Sequence, residues 1–217
     1  GPSGCGKTTL IKIISGIWEP TKGEVFIDKK LVNGLPTNER DVGYLFQNIA
    51  LFPHMTVDEN VSYSPFIKGR GPKKGDKTAK KALEFVDLLD RAGHFPSQLS
   101  GGDQQKAALA RALASGSKIL LLDEPLSALD ARVRIDLRLE LRRLVKELGL
   151  TALHVTHDQE EALSISDRVV VMRSGRVMEV RTPEGLYYDS EHLFTQNFVG
   201  ESNFILGSEL KSGDECV

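Results

Sequence analysis

The sequence feature that most constrains the fold is a glycine-rich loop that runs directly into a helix pattern. Glycines at positions 1, 4 and 6 are followed by Lys7 and Thr8, and apolar residues then recur at helical spacing from position 10 to 17. Glycines let a backbone turn several N–H groups inward, and the start of a helix favours an anion. The pattern predicts a phosphate-binding loop in which Lys7 reaches the β- and γ-phosphates and Thr8 ligates Mg²⁺. The alternative is a glycine-rich turn that carries a solvated lysine.

A pair of acidic residues closes an apolar strand farther along the chain. Residues 119–122 are Ile-Leu-Leu-Leu, and Asp123 and Glu124 follow at once, which is typical of a parallel strand buried on both faces. Because ligands bind beyond the carboxyl ends of such strands, we expect Asp123 to help hold Mg²⁺ and Glu124 to act as general base on a water. Ser127 and Asp130 leave a second interpretation open, in which the acids cap the next helix.

Strands and helices alternate over most of the chain. Helical patterns cover 57–115, apart from a basic, breaker-rich loop at 68–77, and recur at 133–148 and 159–165. This order predicts an α/β fold with a mainly parallel sheet and a helical subdomain at about 57–115. Strands are expected at 24–28, 41–46, 118–123, 151–156 and 168–172.

Composition argues against several other classes of protein. The 28 basic and 30 acidic residues give a net charge of -2, which disfavours bulk nucleic-acid binding. The longest apolar runs, such as 119–122, fall far short of the roughly 18 to 20 residues that cross a bilayer. Cys5 and Cys216 stand at opposite ends of the sequence, so they make no disulfide framework and a reducing compartment is expected.

A second glycine-rich segment lies at residues 99–104, Leu-Ser-Gly-Gly-Asp-Gln. Ser100 can cap the helix that follows while Gly101 and Gly102 expose backbone N–H groups, so the segment predicts a second anion site without a lysine of its own. Two anion sites separated by a long insert suggest that one of them serves another subunit. A small GTPase is not favoured, because the Asn/Thr-Lys-x-Asp motif of that class does not occur in the sequence.

With these elements in this order, the sequence resembles the ATP-binding subunits of ABC transporters. The resemblance extends over nearly the whole chain and implies the P-loop NTPase fold of that family. Six motifs carry it: the phosphate loop at 1–8, the glutamine loop at Gln47, the signature at 99–104, the Walker B strand at 119–124, the loop at 127–130, and Thr156-His157-Asp158.

The resemblance implies a site shared between two copies of the domain. In this family two ATPase domains bind head to tail, so that each ATP lies between the phosphate loop of one and the signature of the other. Ser100 and Gly102 would then contact the γ-phosphate in trans, and His157 would hold the attacking water and the γ-phosphate. Gln47 would sense Mg²⁺ and the transmembrane partner.

The resemblance also implies a complete set of site residues. The catalytic residues expected are Glu124, His157 and Gln47, and the metal ligands expected are Thr8, Gln47 and Asp123. The nucleotide-binding residues expected are Gly1, Pro2, Ser3, Gly4, Cys5, Gly6, Lys7, Thr8, Thr9, Ser100, Gly101, Gly102 and Asp130.

Two residues in the signature region depart from the family pattern. Asp103 stands where the family usually has glutamine or glutamate, and Lys106 replaces a more usual arginine, which removes a bidentate donor. The Asp103 carboxylate can face the phosphate and repel it, or it can turn back to accept bonds from the first N–H groups of its own helix. We expect the second geometry.

The C-terminal part of the sequence resembles a subgroup of the same family. Residues 175–177, 182–187 and 198–204 are similar to the join between the ATPase domain and the small β-barrel regulatory domain of bacterial importers for polyamines, iron, sulfate, molybdate or some sugars. We therefore expect residues 1–185 to form the ATPase domain, lacking its N-terminal strands. Residues 186–217 are expected to form a linker and the start of a truncated regulatory barrel.

The expected function is that of the ATP-hydrolysing subunit of a bacterial ABC importer, with ATP and Mg²⁺ as cofactors. The implied partners are a second ATPase subunit, transmembrane permease subunits and, indirectly, an extracytoplasmic substrate-binding protein, with no nucleic acid. The implied location is the cytoplasmic face of the cell membrane, where the permease subunits would hold the chain. The alternative is a non-transport ABC ATPase with a mechanical or translation-associated role, although the insert lacks the sustained heptads of a coiled coil.

Overall fold

A computed structural model describes residues 1–69, 71–72, 74–127 and 129–199 of the chain. Its helices are α1 Lys7–Ser15, α2 Val57–Ile67, α3 Lys77–Phe85, α4 Gly101–Ala114, α5 Ala131–Glu147, α6 Gln159–Ile165, α7 Pro183–Tyr188 and α8 Leu193–Val199. Its strands are β1 Phe26–Ile27, β2 Lys30–Leu31, β3 Val42–Leu45, β4 Ile119–Asp123, β5 Thr151–Val155, β6 Val169–Arg173 and β7 Arg176–Arg181.

The centre of the fold is a parallel sheet in the order β3-β4-β5. Leu45 pairs with Leu122, and Leu122 pairs with His154, so the three strands end at one edge. Strand β4 lies in the middle, and its Leu120 and Leu122 are fully buried, as the apolar run predicts. The loops that leave this edge therefore emerge side by side.

The predicted helical subdomain is present as a layer of α2, α3 and α4. A reciprocal capping box of Thr56 and Glu59 starts α2, and Asp76 accepts two N–H groups at the start of α3. The facing sides of the three helices bury apolar residues, among them Val61, Leu83 and Leu109. This layer carries the N-terminus of α4.

Helix α1 is fixed to the sheet and to a buried arginine. Ile11 packs against Leu121 and Val155 on the sheet. The guanidinium of Arg40, itself only 3% exposed, donates to the carbonyl oxygens of Ile13 at 2.8 Å and Ile14 at 3.1 Å. These carbonyls lie in the last turn of α1, where the Gly16 N–H also donates to the Ile13 oxygen at 3.1 Å. Arg40 therefore anchors the helix that follows the glycine-rich loop.

Two of the expected strands lie outside the parallel sheet. The strand expected at 24–28 is only β1, which pairs with β2 in an antiparallel hairpin. The strand expected at 168–172 is β6, which pairs antiparallel with β7, a strand that the sequence analysis did not predict. The β6–β7 turn consists of Ser174 and Gly175, both with positive φ, and two such residues suit a tight hairpin.

Strand β5 is more exposed than predicted. Thr151 and Ala152 are exposed, whereas the His154 side chain and Val155 are buried, so the expectation of a buried strand at 151–156 is wrong for its first half. The physical reason is that β5 forms the edge of the described sheet. Beside it lies a cleft of about 430 Å³, lined by apolar residues of α1, α5, β5, α6 and β6 and also by polar groups, among them Lys7, His154 and His157.

The segment after β7 contains the short helices α7 and α8. The expected start of a regulatory barrel falls largely on residues 200–217, which lie outside the described residues. Within the described part of the chain, none of the helices has the length and apolar character to cross a bilayer.

Candidate active site

The glycine-rich loop wraps around its own lysine. Gly4 and Gly6 have φ values of 74° and 101°, a region that favours glycine, and Gly6 precedes the first turn of α1. Lys7 Nζ donates to the carbonyl oxygens of Gly1 at 2.6 Å and Pro2 at 2.8 Å. A positive charge is thus held over a loop whose helix start favours an anion.

The other loop residues lie in contrasting environments. Cys5 is buried beneath the loop, and its carbonyl oxygen accepts from the N–H of Gly175 at 3.0 Å. Ser3 and Thr9 are exposed. The β6–β7 turn therefore supports the loop from below.

Thr8 and Asp123 meet although 115 residues separate them. The Thr8 hydroxyl donates to Asp123 Oδ1 at 3.2 Å. Asp123 is only 1% exposed, and this burial raises the pKa of its carboxyl, an effect that the Thr8 hydrogen bond opposes. Both groups offer oxygen atoms, which Mg²⁺ prefers, and neighbouring ligands of an octahedral Mg²⁺ lie about 3 Å apart. The two side chains fit a magnesium site.

Glu124 sits in a constrained backbone conformation next to His157. Its φ of 51° is uncommon for a residue with a side chain. The conformation is fixed because the Glu124 N–H donates to Val155 O at 2.9 Å while its own carbonyl accepts from Gln105 Nε2 at 3.1 Å. Glu124 Oε1 then lies 3.2 Å from Nδ1 of His157. Such strain is typical of residues whose position matters for function.

The alternative in which Asp123 and Glu124 cap the next helix is wrong. Helix α5 is capped by Asp130, whose Oδ1 accepts from the N–H of Val133 at 3.0 Å. Asp130, which was expected to bind nucleotide, thus has a structural role within this chain. Asp123 and Glu124 remain directed to other partners.

A buried polar cluster supports the His157 loop from behind. Thr156 donates to Glu161, and it also accepts from the N–H of Asp158 at 2.9 Å. Nε2 of His154 lies 3.5 Å from Glu161 Oε1. Burial, together with the Arg138 guanidinium, lowers the pKa of His154 to about 4. Burial is also the largest cause of the raised pKa of Glu161.

The signature residues form a separate site at the start of α4. Ser100 is its cap, with Oγ accepting from the N–H of Asp103 at 3.2 Å. Gly101 is exposed, and Gly102 packs so closely that an added Cβ would lie 3.3 Å from Leu129. Among the described residues, no hydrogen bond joins this segment to the glycine-rich loop.

The Asp103 carboxylate has partners other than those expected. Its Oδ2 accepts from the Ser100 hydroxyl at 2.7 Å and pairs with Arg91 Nη1 at 2.5 Å. The side chain does turn back toward its own helix start. However, within the described part of the chain it bonds a hydroxyl and a guanidinium instead of the N–H groups of the first turn.

Gln47 lies at the same sheet edge as the acidic residues. It follows the last residue of β3 by two positions and is exposed. Because Leu45 is in register with Leu122, Gln47 extends beyond the sheet on the side of Asp123. The structure thus brings Thr8, Asp123, Glu124 and His157 together in contacting pairs and leaves Gln47 in the loop beside them.

Gln105 and Arg91 were not among the residues predicted from the sequence. Gln105 is 4% exposed on α4 and holds the Glu124 carbonyl. The available signal was the spacing of Gln105, which stands three positions before Ala108 and four before Leu109. This spacing places a polar residue on the buried face of the helix. Arg91 gave no comparable signal, because it pairs across a turn with a residue 12 positions away.

Several known proteins are similar to this chain. The sequence model of the ABC transporter family matches residues 1–127. The chain is 48% identical over 217 residues to the spermidine/putrescine import ATP-binding protein PotA of Thermobifida fusca, which covers 100% of this chain and 56% of that protein. It is 44% identical over 209 residues to the PotA protein of Bacillus cereus, which covers 96% of this chain and 64% of that protein.

Another relative is named for a different cargo. The chain is 48% identical over 205 residues to the Fe(3+) ions import ATP-binding protein FbpC of Rhizobium etli, which covers 94% of this chain and 58% of that protein. The chain therefore spans 56 to 64% of the length of these curated relatives.

Solved structures share the fold. The dimeric structure of MJ0796, described as a bacterial ABC transporter cassette, has a TM-score of 0.78 and 38% identity over 84% of this chain and 83% of that chain. A dimeric post-hydrolysis state of the same cassette, bound to ADP and Pi, has a TM-score of 0.77 at the same identity and coverage. These neighbours confirm the predicted α/β P-loop NTPase fold.

Proposed function

Because this chain belongs to the ABC transporter family, we propose that it is the ATP-hydrolysing subunit that powers substrate import by an ABC transporter. The observation that carries the proposal is the convergence of Thr8 with Asp123 and of Glu124 with His157, at distances of 3.2 Å in both pairs. This pairing offers metal-binding oxygens and a base within one sheet edge.

The loop and its helix bind the triphosphate. Lys7 moves its ammonium from the carbonyls of Gly1 and Pro2 to the β- and γ-phosphates, where the N–H groups of the loop and the start of α1 also point. Thr8 and Asp123 would hold Mg²⁺, which would neutralise charge on the phosphates.

Hydrolysis uses the pair of Glu124 and His157. Glu124 accepts the proton of a water as the water oxygen attacks the γ-phosphorus, and the bond from that phosphorus to the bridging oxygen of ADP breaks. His157 holds the Glu124 side chain in line and contacts the γ-phosphate. The buried Thr156–Glu161 contact fixes the loop on which His157 stands.

A second copy completes the site. The signature Ser100–Gly102 starts a helix in another layer, so it serves the nucleotide of a partner copy bound head to tail. The dimeric state of the MJ0796 cassette, at 38% identity, supports this arrangement. Asp130, exposed at the start of α5, then lies at the interface between the copies.

The other partners follow from import. Permease subunits dock beside Gln47, hold the chain at the cytoplasmic face of the membrane, and link it indirectly to an extracytoplasmic substrate-binding protein. The names of the relatives, two of them for polyamines and one for iron, support import over the alternative of a mechanical or translation-associated ATPase.

The test of hydrolysis compares two glutamate variants. Glu124→Gln should lower Mg²⁺-dependent phosphate release by about a hundredfold or more, as expected for loss of a general base, while ATP binding persists. Glu160→Gln, an exposed glutamate on α6, is the matched control and should stay within about twofold of the wild type. Near-native turnover of Glu124→Gln would remove Glu124 from this role.

The test of import is the identity of the partner. Affinity purification from detergent-solubilised membranes should recover integral membrane subunits whose presence changes the ATPase rate. Recovery of ribosomes instead would support the translation-associated alternative.

A further inference from the structure

An ion pair sits at the start of the signature helix. Arg91 Nη1 lies 2.5 Å from Asp103 Oδ2, and the same oxygen accepts from the Ser100 hydroxyl at 2.7 Å. The Asp103 side chain is 18% exposed and that of Arg91 is 45% exposed. The pair therefore lies beside the glycines that the proposed function directs at a phosphate.

The backbone that carries Arg91 is held in place. Its carbonyl accepts from the N–H of His94 at 2.9 Å, which closes a tight turn. The carbonyls of Ala92 and His94 in turn accept the N–H groups of Asp58 and Val57 at 2.9 and 2.8 Å, and these donors belong to the first turn of α2. Surface ion pairs are usually weak because both side chains must be ordered. Here the turn supplies part of that order.

Asp103 creates two chemical problems for phosphate binding. Its carboxylate adds a negative charge beside Ser100 and Gly102, where an anion is to bind, and like charges repel. It also takes the one proton of the Ser100 hydroxyl, so that proton is not available to a phosphate oxygen.

We propose that Arg91 is a positioning residue for the signature, because it neutralises Asp103 and lets Ser100 and Gly102 approach the γ-phosphate held by a second copy. On closure the Ser100 hydroxyl turns its proton to the phosphate, and Asp103 keeps Arg91 as its partner. The role rests on the proposed function, since it requires an ATP site shared between two copies.

The test is a double-mutant cycle on the intact protein in the Glu124→Gln background. The quantity measured is the ATP concentration at half-maximal dimerisation, by light scattering after size exclusion. Arg91→Ala should raise it about fivefold, the scale of one screened unit charge. Asp103→Gln alone should change it less than about twofold, because the freed, exposed Arg91 is screened by solvent.

The coupling between the two residues distinguishes charge compensation from a structural role. Adding Arg91→Ala to Asp103→Gln should change the ATP concentration at half-maximal dimerisation by less than about twofold, because no carboxylate is left to neutralise. Arg91→Lys should fall between Arg91→Ala and the parent, since it keeps the charge but not the fork. Arg143→Ala, which breaks the exposed Arg143–Glu147 pair on α5, is the matched control and should leave dimerisation unchanged.

Two further readouts separate this role from the proposed function. Binding of a fluorescent ATP analogue to the monomer and the thermal midpoint should not change in Arg91→Ala. If the Glu124→Gln parent dimerises with ATP but Arg91→Ala has no effect, or has an effect that Asp103→Gln does not relieve, the role of Arg91 is overturned. If the parent binds ATP and stays monomeric, the shared site itself is wrong, and the role of Arg91 falls with it.

Discussion

Acid should destabilise this fold through one buried histidine. The side chain of His154 on β5 is 9% exposed, and Arg138 lies close enough to disfavour a second positive charge. The pKa of His154 is accordingly lowered from 6.5 to about 4. The unfolded chain accepts a proton at this position below about pH 6.5, whereas the folded chain does not until about pH 4.

The sign and size of the effect follow from linkage. Stability is fully present above about pH 6.5 and is lost as the pH falls toward 4, because only the unfolded state takes up the proton. With pKa values of 6.5 and about 4, the free energy of unfolding falls by about 2 kcal/mol between pH 7 and pH 5 from this residue alone.

Urea denaturation of three proteins at pH 7 and pH 5 measures this contribution. His154→Gln has no titrating group at this position, so its loss of stability on acidification should be about 2 kcal/mol smaller than that of the wild type. His192→Gln, at an exposed histidine, is the control and should follow the wild type. Equal acid losses in His154→Gln and the wild type would refute the assignment of a neutral buried His154.

Three other perturbations test the elements that build the site. Lys7→Ala should weaken ATP binding about tenfold or more and slow hydrolysis, and unchanged affinity by titration would contradict the phosphate-loop assignment. Arg40→Met should lower the free energy of unfolding by about 3 kcal/mol, because it removes the guanidinium hydrogen bonds to the carbonyls of Leu35, Ile13 and Ile14, whereas Glu19→Gln should cost under about 1 kcal/mol. An N-terminal extension that supplies an apolar strand should fill the cleft beside β5 and raise thermal stability and ATPase activity. Equal values with and without it would exclude such an occupant.

Local sequence signals predicted most of the elements. Helix α6 begins and ends where the pattern predicts, because Asp158 caps it and accepts the N–H of Glu161 at 3.0 Å. Strand β4 is recognisable because a run of four consecutive apolar residues is typical of a strand buried on both faces of a parallel sheet. In both cases the information lies within a few adjacent residues.

Burial and pairing of the other strands depend on distant residues. Strand β5 ends in Leu153, His154 and Val155, but its first half is exposed because nothing in the described sheet covers that edge. Strand β7 was missed because Arg176, Glu179 and Arg181 interrupt its apolar positions, although the Ser174–Gly175 turn before it was a readable hairpin signal.

In the candidate site, too, some residues could be predicted from the sequence, whereas the partners of others depend on distant residues. The rule that ligands bind beyond the carboxyl ends of parallel strands predicted which edge would carry Asp123 and Glu124, whereas Gln47 was expected only from the family resemblance. The partners of Asp103 could not be derived in this way, because Arg91 arrives from a separate turn. Tertiary packing, and not local sequence, determines which hydrogen-bond donors bind the Asp103 carboxylate.

Closure of two copies of this chain around ATP can be measured as the molar mass of the Glu124→Gln protein. In ATP and Mg²⁺ the mass measured by light scattering should double, because bound ATP joins the phosphate loop of one copy to Ser100 and Gly102 of the other and is not hydrolysed. In ADP the mass should remain that of one copy, since the γ-phosphate is missing. A protein that binds ATP and keeps the mass of a single copy would contradict the account.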